Sequence, residues 1–194
     1  MSNVIRALRR EHADTARLLG ALERQLDIFD QGAAPDYDIV QGVIDYCLAY
    51  PDCYHHPKED LVLERLRRRD PEAAAAIGDL QPEHEALAEL TRRLADAVES
   101  VLREAEVSRE GMHELAREFL VFYRRHIAME EGRFFPAALE VLSEQDWQEI
   151  EAQLVEREDP VFGGQPDQRF ERLRRDVLAW EKADAEAAGN AGTS

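Results

Sequence analysis

Residues 112–137 read MHELAREFLVFYRRHIAMEEGRFFPA. Met112, Leu115, Phe119, Phe122, His126, Glu130, Phe134 and Ala137 recur there at steps of three and four, the signature of one face of an α-helix. A histidine and, one turn later, a glutamate therefore stand on the stripe that the helix turns toward a core. Ser108 is suited to cap the start of this helix, and Pro136 to bend its last turn.

The same pattern repeats on either side. Ile5, Leu8, His12, Thr15, Leu19, Leu22, Leu26 and Phe29 mark a helix over 3–30, interrupted at Gly32 and Pro35. Ile44, Leu48, His55, Glu59, Val62 and Leu66 mark a second over 37–69, closed by Asp70 and Pro71. Pro51 and Pro57 lie inside it, and each removes a backbone hydrogen bond, so kinks are predicted beside His55. PEAAAAIGDLQP (71–82) reads as a connector with a short helical turn. His84, Leu87, Thr91, Leu94, Val98 and Val101 then mark a third long helix ending near Ala105. Beyond residue 142, Ser143 and Asp146 suggest a capped helix over 144–157. EDPVFGGQP is a loop, 167–182 a last helix, and 183–194 a small, polar tail expected to be disordered. No run alternates apolar and β-branched residues long enough for a strand, so the chain is expected to be all-α.

Composition sets the outer limits. The 194 residues are 44% hydrophobic, enough for one buried core without disulfide staples. Twenty-four Lys plus Arg stand against 41 Asp plus Glu, a net charge of −17, and no stretch interleaves basic and aromatic residues. Nucleic acid and anionic membranes are therefore poor partners. The first twenty residues carry charges every few positions, so neither a signal peptide nor a membrane anchor is expected, and a cytoplasmic location is. Cys47 and Cys53 fall about 9 Å apart along one helix, too far for a disulfide, and read as buried thiols. The Arg-rich runs at 65–69 and 172–175 alternate with acids and read as solvated faces, or as surfaces meeting acids across a dimer.

His12, His55, His84 and His126 each fall on the apolar stripe of a different long helix. With turns centred near residues 33, 70 and 107, antiparallel neighbours place them at matched depths: about 21 and 22 residues from the first turn, about 15 and 14 from the second, and about 23 and 19 from the third. Glu59 follows His55, and Glu130 follows His126, at the four-residue step that puts both side chains on one face. A buried layer of four histidines and two carboxylates needs positive charge, and no Lys or Arg stands on those stripes to supply it. A metal pair would. Nitrogen and oxygen donors without thiolate favour iron or manganese, ligand type alone leaves zinc open, and two carboxylates able to bridge suggest a dinuclear centre. Six donors underfill two octahedral ions, which leaves positions for a small ligand such as dioxygen, nitric oxide, peroxide or water.

His12, then His55-His-Pro-Lys-Glu59, His84-Glu, and His126-Ile-Ala-Met-Glu130-Glu with Arg-Phe-Phe-Pro behind it, resemble the hemerythrin HHE cation-binding family over about residues 5–140. The resemblance implies an up-down-up-down four-helix bundle over 1–142 with a non-haem diiron site. The two additional C-terminal helices (143–182) would pack on the bundle or at a dimer interface, and the DPVFG loop resembles an extension of some bacterial members. Carried over residue by residue, the ligands are His12, His55, Glu59, His84, His126 and Glu130, with Glu59 and Glu130 bridging. Two departures from the oxygen carriers stand out. Position 88, one turn after His84, is alanine, and position 80 is leucine, so a fifth histidine is missing from that helix. The last carboxylate is Glu130 at the fourth position after His126 rather than an aspartate at the fifth, with Glu131 beside it. His56 is the substitute ligand if the Pro57 kink turns it inward. Tyr54 and Tyr123 are candidates to reach the site, and His113, off the stripe, is expected to be solvated. A ligand-binding or sensing role for dioxygen or nitric oxide leads. A diiron enzyme (nitric oxide or peroxide reduction, ferroxidase chemistry, iron release for cluster repair) and a metal-free helical module stand behind it.

Overall fold

The computed structural model describes residues 2–103, 108–154 and 158–191. Among them the secondary structure is helical, without a strand. The first helix, α1, spans Asn3–Asp30 with Ser2 as its N-cap, where the hydroxyl accepts from the Val4 amide. Asp36 caps α2, Tyr37–Tyr50, in the same way.

From Pro51 to His55 the chain is a π-helix, and α3 follows without a break over His56–Arg69. The kink expected beside His55 thus takes the form of a widened turn. The His56 amide donates to the Pro51 carbonyl five residues back, and Pro57 offers no amide to restore the ordinary spacing. The pattern recurs on the opposite side of the site. Helix α6 spans Arg109–Met129, a π-segment runs over Glu130–Phe134, and α7 covers Phe135–Val141. Here the Phe135 amide donates to the Glu130 carbonyl, again with a proline, Pro136, next in line. Between these halves lie α4 (Pro71–Ile77) and α5 (Gln81–Leu102). The expected end of α5 at Ala105 falls outside the described residues.

The core is two apolar clusters with a polar layer between them. Leu18–Leu26 of α1, Ile39–Tyr50 of α2, Leu87–Val98 of α5 and Met112–Tyr123 of α6 contribute to one cluster. Val4–Leu8, Val62–Leu66, Leu80 and Phe134–Ala138 contribute to the other. On each of the four chain segments a histidine of the predicted set is buried between the two clusters, so burial of the apolar stripes itself fixes the depth of the layer. Helix α1 packs on α2 and α6, and α5 on the same two, which closes a helical bundle.

The residues after 142 cover this bundle. Helix α8 spans Glu144–Glu151, shorter than the expected 144–157, because Ala152 and Gln153 turn; residues 155–157 lie outside the described ones. The expected Ser143–Asp146 capping box is present. Trp147 and Ile150 are buried in the cluster of Val4, Ile5 and Leu8. A 3-10 turn, Gln168–Phe170, leads into α9, Glu171–Ala191, which packs on α2 and α1. A Cβ on Gly42 of α2 would meet Leu173 Cδ2 at 3.3 Å, so that glycine sets how closely α9 approaches. Residues 183–191 are helical rather than a disordered tail, because the alanine-rich stretch that lacks apolar signal is still a good helix former continuing a formed helix.

Two further expectations change. Cys47 is buried, but Cys53 is exposed, since the π-turn carries it outward. The Arg run at 65–69 is not wholly solvated: Arg65 and Arg69 both reach the fully buried Asp146 carboxylate at the start of α8. Likewise Arg172 pairs with Asp36 and Asp38 across the α2 N-terminus. No helix of the described residues is long and apolar enough to cross a membrane.

Candidate metal centre

All six predicted donors are buried, and the bundle brings them together. Ligand atoms of His12, His55, Glu59 and Glu130 lie within 4.8 Å of one another, and so do those of His56, Glu59, His84 and His126. His56 is thus drawn into the second group. The π-turn before Pro57 lets two consecutive residues face the interior, which an ordinary helical turn does not.

The two glutamates stand between the groups. Glu59 Oε1 lies 3.3 Å from His55 Nε2 and 3.8 Å from His12 Nε2, while its Oε2 lies 3.5 Å from His84 Nε2. Glu130 does the same in mirror fashion, with Oε2 3.2 Å from His12 Nε2 and Oε1 3.1 Å from His126 Nε2. Each carboxylate gives one oxygen to each side. Both oxygens of both glutamates, with His84 Nε2 and His126 Nε2, are buried without a hydrogen-bond partner. Unpaired buried acceptors of this kind cost several kcal/mol, roughly, unless a cation meets them. The donor set therefore fits two cations held by imidazole and carboxylate.

Charge in the layer tells the same story. Burial raises Glu59, but His55, His84 and His12 outweigh it and hold the carboxyl well below its usual range. Burial and Glu59 push Glu130 up, and His12, His84 and His126 still bring it down. Burial disfavours the charged rings of His55 and His84, yet the glutamates around them lift His55 to about 10 and His84 to about 9. The cage attracts positive charge wherever it can get it. His56 goes the other way, lowered by burial and by His84 against the pull of Asp52.

A second layer of acids, which the sequence reading does not name apart from Glu131, orients the rings. Glu11 accepts from His55 Nδ1 at 2.8 Å, Glu131 from His12 Nδ1 at 3.0 Å, Glu83 from His126 Nδ1 at 3.0 Å, and Asp52 from His56 Nδ1 at 3.0 Å. A carboxylate on Nδ1 fixes the proton there and leaves Nε2 to face the centre. Three of the four reach across to another helix, so the adjacency of Glu11 to His12 and Glu83 to His84 hides which ring each one serves. Only the four-residue step from Asp52 to His56 was legible in the sequence. Lys58 is buried and pairs with Glu11, one layer out from Glu59 and Glu130.

Beside the histidines is a cavity of about 10 Å³, lined by His12, His55, Thr15, Tyr46, Tyr50 and Tyr123 among others. That is room for one water-sized molecule. Tyr123 thus borders the centre, whereas Tyr54 packs on Tyr50 with ring centroids 5.6 Å apart and does not line the cavity. His113 lies off the layer, half-buried and 2.5 Å from Asp30.

A helical bundle with a buried imidazole and carboxylate layer between two apolar clusters defines a cation-binding protein of the helical-bundle class. The family model of the hemerythrin HHE cation-binding domain matches residues 3–138, and the chain belongs to that family. Every donor named above falls within the match. Curated proteins and solved structures give no match.

Proposed function

We propose that the chain holds two iron ions and binds a small diatomic ligand, dioxygen or nitric oxide, in the service of sensing, buffering or stress response. The ligands are His12, His55, His56, His84 and His126, with Glu59 and Glu130 as bridges. In this reading residues 1–142 form an up-down-up-down bundle, with 143–182 as a covering extension in a cytoplasmic protein. The observation that carries it is the way each glutamate divides its two oxygens between the two histidine groups, because one cation would leave half of these buried atoms unmet. Iron bound there would supply open coordination positions and redox capacity, while manganese or zinc would occupy the same donors. The protein's part is to keep Nε2 of each ring turned inward, exclude bulk water, and offer beside the rings a space of about one water's size.

Titration of the ferrous-loaded protein with oxygen, followed by visible absorption, tests this reading. A reversible or stoichiometric charge-transfer absorption supports it; no spectral change in a protein shown to hold iron opposes it. Loss of metal in His55→Ala and His126→Ala, with metal kept in His113→Ala, would tie the signal to these residues.

The rings of Tyr46, Tyr50 and Tyr123 along the cavity favour a second reading, a diiron enzyme that consumes the ligand with electrons passing through phenols. Sustained turnover beyond one equivalent would select it.

A further inference from the structure

Thr15 and Tyr46 line the cavity beside the histidines, both buried, and Thr15 follows His12 by one turn on α1. Beyond the family match, Asp159 reaches the same pair and is 9% exposed. The Tyr46 hydroxyl donates to Asp159 Oδ2 at 2.8 Å. Asp159 Oδ1 accepts from the Val161 and Phe162 amides at 2.8 and 2.7 Å. A carboxylate that receives three hydrogens has none to give.

The direction of the row follows from counting protons. A phenol has one, and that of Tyr46 is committed to Asp159. The hydrogen bond between Tyr46 and Thr15 therefore runs from the Thr15 hydroxyl to the phenol oxygen. Thr15 has then used its own proton and shows the cavity a lone pair. Tyr50, which also lines the cavity, is likewise engaged with a carboxylate, that of Glu11.

The outer end of the row is firmly set. Val161 is fully buried in the larger apolar cluster, and Arg17 of α1 lies over the Phe162 ring at 3.6 Å. A Cβ on Gly163 would meet the Asp159 carbonyl oxygen at 2.5 Å, so the turn needs glycine there. Phe170, just before α9, stands edge-on to the Tyr46 ring, with centroids 6.5 Å apart and planes at 78°. Backbone amides thus hold Asp159, and Asp159 imposes its direction on both hydroxyls.

We infer that Asp159 is a positioning residue for the small-ligand site: by orienting Tyr46 and, through it, Thr15, it keeps this row of hydroxyls from offering the cavity a proton. A bound anion is best met by a donor, whereas a neutral diatomic molecule needs none, so the row favours a neutral ligand over an anion. The inference rests on the reading of the centre as a ligand-binding iron pair, and it gives the chain beyond residue 142 a part in ligand choice.

Asp159→Asn reverses the row with little change of shape. The Val161 and Phe162 amides hold the side-chain oxygen on their side, which turns the new NH2 group toward Tyr46. The phenol then accepts from that group and donates to Thr15, and the Thr15 proton is free to face the cavity. The full iron-loaded chain is titrated with fluoride, an anion of about a water's size, in the ferric state, and with nitric oxide in the ferrous state. Visible absorption follows both, with iron measured per chain. Asp159→Asn should bind fluoride about tenfold tighter or more, with nitric oxide within about twofold of the parent and iron content unchanged. Adding Thr15→Val should bring fluoride back to within about twofold of Thr15→Val alone. Tyr46→Phe removes the acceptor of the Thr15 proton, so it should move fluoride the same way, and it keeps the test alive should Asp159→Asn fold poorly. Unchanged fluoride binding in the folded variants, a gain that survives Thr15→Val, or an equal gain for nitric oxide overturns the inference.

The metal-free chains give a readout that needs no ligand. The tyrosine ring doublet in Raman difference spectra, each taken against the same chain carrying Tyr46→Phe, tells a phenol that donates to a carboxylate from one that accepts. Asp159→Asn should move the doublet off the strong-donor pattern of the parent, and an identical doublet overturns the inference. A parent that takes up neither iron nor ligand sinks the reading of the centre, and the doublet then decides the direction of the row by itself.

Discussion

The imidazole of His56 lies flat on that of His84, with ring centroids 3.8 Å apart and planes 7° from parallel. The third long helix lacks a second histidine, and the neighbouring helix supplies one from the residue after His55. The stacked pair faces Glu59 and His126 as one donor group. His56→Ala should therefore lower retained iron from about two toward about one per chain, with the His12 and His55 side kept. Metal analysis after gel filtration reads this directly. Full retention of both ions would remove His56 from the ligand set.

The carboxylates behind the rings give a graded expectation. Glu11→Gln and Glu83→Gln leave every inner donor in place but weaken the hold on His55 and His126. Metal affinity should fall by about 10- to 100-fold for each. Competition with a chromophoric chelator measures it. An unchanged affinity would mean that the bundle alone orients the rings.

Pro57 is predicted to matter through the backbone. Pro57→Ala returns an amide that can bond one turn back and draw the π-turn toward ordinary helix, rotating His56 away from the centre. Iron loading should drop while helicity, by circular dichroism, holds or rises. Pro136→Ala tests the matching turn, where Glu130 begins the π-segment.

Asp146 supplies the pH-dependent term outside the centre. Burial would raise its carboxyl, but Arg69, Ser143 and Arg65 hold it well below the usual carboxylate range. Since the folded value is depressed, the stabilisation is complete above the unfolded value near 3.8 and fades as the pH falls toward the folded one. Asp146→Asn should cost about 2 kcal/mol at neutral pH, and the gap from the parent should narrow steadily below pH about 4. Urea unfolding of both metal-free proteins at several pH values checks it. A gap that persists at low pH would point to packing rather than charge.

How much of this was legible in the sequence follows from what each feature depends on. Helices α1, α5 and α6, the single stripe that runs through α2 and α3, and the depth of His12, His55, His84 and His126 follow from apolar periodicity, because the stripes must be buried and each histidine interrupts one. Glu59 and Glu130 are legible from their four-residue steps. His56 is legible only as a conditional, since its direction hangs on a π-turn that periodicity does not encode. Glu11 and Glu83 were hidden because each serves a ring on another helix. Arg65 and Arg69 read as a surface run because Asp146, their partner, is more than seventy residues away in sequence, and no local pattern joins them. The helix over 183–191 was missed because a composition poor in apolar residues says nothing against continuation of a helix already formed.

The central claim is that Glu59 and Glu130 each bridge two cations. Iron-57 loading of the parent chain, with metal quantified per chain and Mössbauer spectra recorded in the ferric state, tests it most directly. The account predicts about two irons per chain, with spectra of a magnetically coupled, diamagnetic ferric pair. A single uncoupled ferric ion, or no tightly held iron under loading that saturates the protein, would contradict it.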